Sequence, residues 1–80
     1  MTCGEAVAKR ILDLCSQHKI TPNKLGTISG VTQSTINNII NTGSKNPTIL
    51  TIKKLCDGLN IKLYDFFDDE LFDTLDQEIS

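Results

Sequence analysis

The apolar residues of this chain recur at intervals of three and four, as on one face of an α-helix, and nowhere alternate with polar residues as in a half-buried strand. The first stripe comprises Val7, Ala8, Ile11, Leu14 and Cys15. A second comprises Val31, Ile36, Ile39 and Ile40, and a third comprises Ile49 or Leu50 with Ile52, Leu55, Cys56 and Leu59. The pattern predicts amphipathic helices packed around a common core.

Residues that cap helix ends indicate where these helices begin and stop. Thr21 is a favoured N-cap residue, and Pro22 suits the first helical position, where its missing N–H is not needed. Together they predict a helix over residues 22–29, which Gly30 ends. The other predicted helices span residues 5–18, 32–41, 48–59 and 63–67. The fourth is expected to end at Gly58, Leu59 and Asn60, with Asn60 in the left-handed closing position.

Five short helices with short connections describe a compact all-α bundle, and 80 residues are enough for one such domain. We expect the domain to occupy residues 1–67 and an acidic extension to occupy residues 68–80. The extension also has apolar residues at helical spacing: Leu71, Phe72, Leu75 and Ile79. Three interpretations stay open: an acidic tail that aids solubility, a short sixth helix packed on its own body or on a second protomer, and an autoinhibitory segment.

Residues 22–41 combine a short helix, a tight turn and a second helix. Two helices that cross steeply in so short a span need a small residue at the crossing, a residue that tolerates positive φ at the turn, and an apolar anchor. Gly26, Gly30 and Ile36 supply these three features in that order. The segment is therefore predicted to be a helix-turn-helix unit, although a purely structural helical hairpin fits the same pattern.

The outward side of the helix at residues 32–41 distinguishes these two interpretations. It carries amides and hydroxyls and no acid: Thr32, Gln33, Ser34, Thr35, Asn37, Asn38 and Asn41. An ordinary solvated face would carry Glu and Lys, which are better helix formers. Asn and Gln can bond adenine in the major groove, and Ser and Thr can meet several base edges. The surface favours DNA reading, with a weak preference for A·T pairs since no Arg is present.

Polar residues that flank this helix are candidates for contacts with DNA phosphates, which position a protein without specifying a sequence. One group follows the helix in a loop, and Lys45 is its only base, although a solvated loop lysine is the simpler interpretation of that residue alone. The other group lies at the start of the preceding helix. The candidates are Thr21, Asn23, Thr32, Asn41, Thr42, Ser44 and Lys45.

Charge is distributed unevenly along the chain. The formal net charge is −2, but residues 1–62 hold all eight lysines and arginines with three acids, a net +5. Residues 63–80 hold seven acids and no base. Phosphate binding by the body of the domain is therefore electrostatically possible despite the negative total.

Few residues suggest any other chemistry. Cys3, Cys15 and Cys56 form an odd set without a CxxC pair, which suits a reducing cytoplasm. Cys15 and His18 have ligand-like spacing, but no second cluster would complete a metal site. His18 has no nearby nucleophile and carboxylate, so we expect no enzyme activity. Nothing indicates a cofactor, a small-molecule ligand or a membrane segment.

From about Arg10 to Phe67 the chain resembles the Cro/C1-type (XRE) helix-turn-helix family of transcriptional regulators, which have a lambda-repressor-like DNA-binding domain. The segments that carry the resemblance are ILDL, ITPNKL, SGVTQSTINNI, KNPTILTIKKLCDGLNI and LYDFF. The resemblance implies a five-helix domain, usually a homodimer on a palindromic double-stranded operator. It also implies which residues face bases, namely Gln33, Ser34 and Asn38 with Asn37 close by, and it places Thr21, Asn23, Asn41 and Lys45 near the DNA backbone.

The chain departs from the pattern of this family in three places. Pro22 stands where members often have a glutamine that contacts phosphate and braces the reading helix. Cys15 and Ile40 stand where many members have a buried Arg–Glu pair, and we expect them to pack directly on each other, a swap that is often neutral or stabilising. The loop over residues 41–44 is one residue longer than the commonest form, and Gly43 is expected to absorb the extra turn.

Sequence-specific transcriptional regulation, most simply repression, is the leading functional hypothesis. Homodimerisation is expected through the fourth and fifth helices or the extension. Two other classes stay open: the antitoxin partner of a toxin–antitoxin pair, and a protein-interaction module that does not bind DNA. Weak dependence of DNA binding on salt would favour the last, because true phosphate contacts release counterions.

Overall fold

The computed structural model describes residues 1–42 and 47–79 and contains five α-helices in these ranges. They are α1 (Cys3–His18), α2 (Pro22–Ser29), α3 (Gln33–Thr42), α4 (Ile49–Leu59) and α5 (Leu63–Phe67), followed by a 3-10 turn at Glu70–Phe72. The described ranges include no strand. The predicted all-α, five-helix bundle is confirmed.

Side-chain caps account for the helix starts. The Thr21 and Thr48 hydroxyls accept hydrogen bonds from the backbone N–H of Lys24 and Thr51, as expected of N-caps. Helix α1 begins two residues earlier than predicted, because Thr2 and Glu5 form a capping box. The backbone and side-chain hydrogen bonds of Thr2 lower the pKa of the Glu5 carboxyl.

Three helices end in a residue with left-handed backbone geometry. Lys19 and Asn60 both have φ of 57° and end α1 and α4, and Gly30 has φ of 69° and ends α2. In each case the backbone N–H of this residue bonds a carbonyl of the last helical turn. The prediction that Asn60 closes α4 in this conformation is confirmed.

The core is one cluster to which the five helices contribute. The side chains that lose nearly all contact with solvent are Val7, Ile11, Leu25, Ile36, Leu55, Cys56 and Phe66. Cys15 and Ile40, the expected replacement of the buried Arg–Glu pair, both belong to this cluster, although Ile40 is only partly buried. Their direct contact stays a prediction.

The predicted apolar stripe of α4 is wrong at its first turn. Ile49 and Leu50 are each 65% exposed, whereas the stripe from Ile52 onward is buried. The reason is that α4 begins beyond the edge of the core, so its first turn presents both side chains to solvent.

Arg10, which the sequence shows only as one of the eight bases of residues 1–62, is buried. Its side chain lies beneath α5, where Nε donates to the Phe66 carbonyl over 2.7 Å and Nη2 donates to the Asp65 carbonyl over 2.8 Å. Nη1 also pairs with Asp69 Oδ2 at 3.3 Å. One guanidinium therefore satisfies two carbonyls near the end of α5 and holds the start of the acidic extension.

The acidic extension packs on its own body but does not form the regular sixth helix that its spacing suggested. After the 3-10 turn and a short bend, residues 75–79 are not helical. Phe72 packs against the core beside the rings of Phe66 and Phe67, and the Asp76 N–H donates to the Met1 carbonyl over 3.0 Å. The acids explain the missing helix, since Asp is a poor helix former and negative charge is unfavourable near a helix C-terminus.

The described ranges show no helix long and apolar enough to cross a membrane. They also bring together no group of three His, Cys, Asp or Glu residues that could hold a metal ion. The three cysteines are unpaired thiols, and burial raises the pKa of Cys15 and Cys56.

Candidate nucleic-acid interface

The turn between α2 and α3 is held by backbone hydrogen bonds to a single carbonyl. The N–H groups of Gly30 and Val31 both donate to the Gly26 carbonyl, the second over 3.0 Å. Thr32 then caps α3, since its hydroxyl accepts the Thr35 N–H over 3.2 Å. The chain therefore passes from α2 to α3 within three residues, the short connection expected of a helix-turn-helix unit.

Gly26 lies where α2 packs closely against the turn and α3. A Cβ at this position would lie 2.8 Å from Gln33 Nε2, 2.9 Å from the Val31 carbonyl oxygen and 3.2 Å from Ile36 Cγ1. The carbonyl cannot move without breaking the turn, so any larger residue would push the helices apart. Ile36 is fully buried and anchors α3 to the core.

The side of α3 away from the core is polar and contains no acid. Ser34, Asn37, Asn38 and Asn41 are exposed, and the capping residue Thr32 is exposed beside them. Thr35 is half-buried, and its hydroxyl accepts a 2.9 Å hydrogen bond from Thr32. Since Ser34, Asn37, Asn38 and Asn41 are three or four residues apart, they form a continuous strip that can face one partner.

Gln33 differs from the other residues predicted to read bases. It is half-buried, and its Nε2 donates over 2.9 Å to the backbone carbonyl of Asn23 at the start of α2. Its Oε1 is buried and has no hydrogen-bond partner within the described ranges. The amide therefore joins the two helices and lies back from the exposed strip.

The predicted phosphate-contacting residues fall into two groups. Thr21 and Asn23 are exposed at the start of α2, and the exposed Lys24 beside them is a base that the sequence analysis did not assign. The second group follows α3: Asn41 is exposed, and the Thr42 side chain, Ser44 and Lys45 lie outside the described residues. Gly43, which was expected to absorb the extra turn of the loop, also lies outside them. The contacts of both groups with DNA phosphates stay predictions.

Helix α2 also packs closely on α4, on which the helix-turn-helix unit therefore rests. A Cβ on Gly58 would lie 2.1 Å from Ser29 Oγ and 3.2 Å from Ser29 Cα, so only glycine permits this approach. The sequence analysis took Gly58 as part of a helix-ending signal. A glycine inside a helix costs about 1 kcal/mol of stability relative to alanine. This cost is the one feature of the sequence that indicates a packing requirement for glycine at position 58.

Comparison with known proteins identifies the family. The Cro/C1-type helix-turn-helix DNA-binding domain matches residues 10–71, more than half of the chain. The chain belongs to the Cro/C1-type family. This result confirms the resemblance that the sequence suggested.

A solved structure shares the fold of this Cro/C1-type domain. The crystal structure of the prophage Lp1 protein 11 is 39% identical to this chain, with a TM-score of 0.82. The match covers 94% of this chain and 99% of the other. No curated protein matches the chain.

As a Cro/C1-type domain, the protein is a DNA-binding transcription regulator whose ligand is double-stranded DNA. Its exposed amides and hydroxyls lie on the second helix of the helix-turn-helix unit, and α2 packs against that helix through Gly26. The helix-turn-helix unit therefore holds α3 against α2 on one side and exposes its polar residues on the other.

Proposed function

We propose that this Cro/C1-type domain is a sequence-specific regulator, most simply a repressor, which inserts α3 into the major groove of double-stranded DNA. The exposed, acid-free strip of amides and hydroxyls on α3 carries this proposal. An acid on this strip would repel phosphates, and a strip of lysines would bind DNA without reading it. An operator that overlaps a promoter would be blocked by a bound domain of this size without any further effector domain.

Base reading is assigned to Ser34, Asn37 and Asn38, which are exposed on α3. The Asn amides can donate to and accept from adenine together, and the Ser34 hydroxyl can bond either a donor or an acceptor. Each good contact of this kind discriminates against a wrong base by about 1–3 kcal/mol. Operators are therefore expected to contain A·T pairs opposite the two asparagines.

Phosphate contacts are assigned to Asn41 at the end of this strip and to residues that border the strip. Thr21 and Asn23 would meet one backbone strand from the start of α2, where N–H groups that lack helical partners also favour anions. Thr32 and Asn41 would meet phosphates from the two ends of α3. The loop residues Thr42, Ser44 and Lys45 complete the proposed set.

The regulator is proposed to act as a homodimer on a palindromic operator, in the cytoplasm where such DNA is accessible. Large apolar side chains exposed on α4 and α5 support pairing through these helices: Ile49 and Leu50 are each 65% exposed and Tyr64 is 69% exposed. A twofold dimer would place its half-sites about one helical turn of DNA apart.

Selection from a random duplex library with the purified protein tests this function. The expected result is a palindromic consensus that the double variant S34A/N38A no longer enriches. Gln17→Ala is the matched control, because Gln17 is an exposed amide on α1 outside the proposed interface. Absence of enrichment at low salt, or the same consensus from the double variant, would contradict the proposal.

A further inference from the structure

The amide of Gln33, the first residue of α3, is engaged within the protein. Nε2 donates to the Asn23 carbonyl over 2.9 Å, and this carbonyl also accepts the Thr27 hydroxyl over 3.1 Å. The contact connects the first turn of α3 to the first turn of α2. Both turns belong to the proposed DNA interface, so the contact joins the two parts that must keep a fixed relative position.

Gly26 provides the space for this amide. A Cβ on Gly26 would lie 2.8 Å from Gln33 Nε2, so a larger residue would displace the Gln33 side chain from its path to Asn23. The absence of a side chain at Gly26 therefore serves two purposes, since it permits both the helix crossing and the hydrogen bond between Gln33 and Asn23.

Base reading would require a different placement of this amide. A glutamine that reads adenine uses Nε2 and Oε1 together at the base edge. In this structure Nε2 is directed at the protein backbone and Oε1 is buried. Ser34 and Asn37, by contrast, expose their side chains on the same helix.

The partner of Gln33 at the start of α2 is a backbone carbonyl. Pro22, beside it in sequence, has no side-chain hydrogen-bonding group that could take this place. Gln33 has the length and the N–H donor to reach that carbonyl, and Gly26 leaves its path open.

We propose that Gln33 is a positioning residue that fixes the angle of α3 against α2, and that the base preference of the protein comes from Ser34, Asn37 and Asn38. The proposal rests on the proposed function, because a reading helix is what Gln33 positions. It changes the role that the sequence analysis gave to Gln33, from base reader to brace.

The first test needs no DNA. In the uniformly labelled full chain, NMR is expected to show a scalar coupling across the hydrogen bond from the Gln33 side-chain amide to the Asn23 carbonyl, together with slow exchange of that amide proton. The exposed side-chain amide of Asn37 is the control, and it should exchange fast. A Gln33 amide that exchanges as fast as Asn37 and shows no coupling would overturn the proposal even if DNA binding were proven.

The second test measures the base preference of Gln33 variants. Gln33→Ala and the similarly sized Gln33→Met are expected to lower affinity for every site by a similar factor, about 2- to 12-fold for one lost hydrogen bond, and to leave the selected consensus unchanged. Ser34→Ala should instead relax preference at one base-pair position. The Met variant keeps the volume of the side chain, so it remains informative if the Ala variant folds poorly.

Loss of preference at a single base-pair position in Gln33→Met, with the rest of the consensus retained, would identify Gln33 as a base reader and overturn the proposal. Failure of the wild-type protein to select any site would contradict the proposed function, whereas the NMR result would still decide whether Gln33 braces α3.

Discussion

Arg10 and Phe66 are 56 positions apart in sequence, yet Nε of the arginine donates to the carbonyl of the phenylalanine over 2.7 Å in a buried contact. The same guanidinium bonds the Asp65 carbonyl and the Asp69 carboxylate. Helix α5 has only five residues and cannot be stable by itself. Its position therefore depends on this arginine from α1 and on the burial of Phe66.

Arg10→Ala is expected to lower the free energy of unfolding by about 2–4 kcal/mol, because two carbonyls and a carboxylate would lose a charged donor in a largely buried place. Chemical denaturation followed by circular dichroism measures this change. Lys54→Ala removes an exposed positive charge from α4 and should stay within about 0.5 kcal/mol of the wild type. Equal effects of the two substitutions would show that Arg10 contributes only its charge.

Gly58→Ala is expected to destabilise the protein by about 1–3 kcal/mol, since the new Cβ would overlap Ser29 on α2. Ser29→Ala is the informative partner, because Ser29 Oγ is buried and has no partner in the described ranges, so its removal should cost little. In a double-mutant cycle, Ser29→Ala should recover part of the loss caused by Gly58→Ala. Strict additivity of the two free energies would contradict the close approach of α2 and α4.

Phe72→Ala is expected to lower the free energy of unfolding by about 1–3 kcal/mol, because its half-buried ring packs against Phe66 and Phe67. Ile79→Ala should have no measurable effect, since Ile79 is 88% exposed. Thermal unfolding of both variants separates the packed and the solvated parts of the acidic extension. Equal melting temperatures for Phe72→Ala and the wild type would show that the extension does not pack in solution.

The buried thiols make stability depend on alkaline pH. Burial raises the pKa of Cys15 and Cys56 above the ordinary value of 9.0, so the folded state holds these protons more tightly than the unfolded state. Their contribution to stability is full below pH 9 and is lost as pH rises through the folded-state pKa values. Between pH 8 and pH 11 the free energy of unfolding should therefore fall less steeply with pH for the C15A/C56A variant than for the wild type. Identical slopes for the two proteins would contradict this linkage.

Local signals were sufficient to predict the helices but not the long-range polar contacts. Thr21, Pro22, Gly30 and Asn60 carry their structural roles in their own chemistry, so the helix ends could be predicted from sequence. The burial of Arg10 depends on residues more than 50 positions away, and no local pattern distinguishes it from a solvated base. The same reason applies to the acidic extension, whose apolar spacing suggested a helix, whereas the contacts of Phe72 and the local acids favour a 3-10 turn.

In the candidate site, too, the features set by local sequence could be predicted and the contacts between helices could not. The exposure of Ser34, Asn37 and Asn38 follows from helical periodicity once Ile36 and Ile39 are assigned to the core. The hydrogen bond of Gln33 to Asn23 could not be predicted in this way, because it depends on the crossing angle of two helices and on the space above Gly26.

If the exposed strip of α3 reads DNA, the protein must distinguish its operator from other duplexes. The most direct measurement is the ratio of its affinities for the selected operator and a scrambled duplex, obtained by fluorescence anisotropy at several salt concentrations. The wild type is expected to prefer the operator strongly at every salt concentration and to lose affinity for both duplexes as salt rises. S34A/N38A should keep the salt dependence while its ratio falls toward one. A ratio near one for the wild type, or an unchanged ratio in S34A/N38A, would contradict the claim.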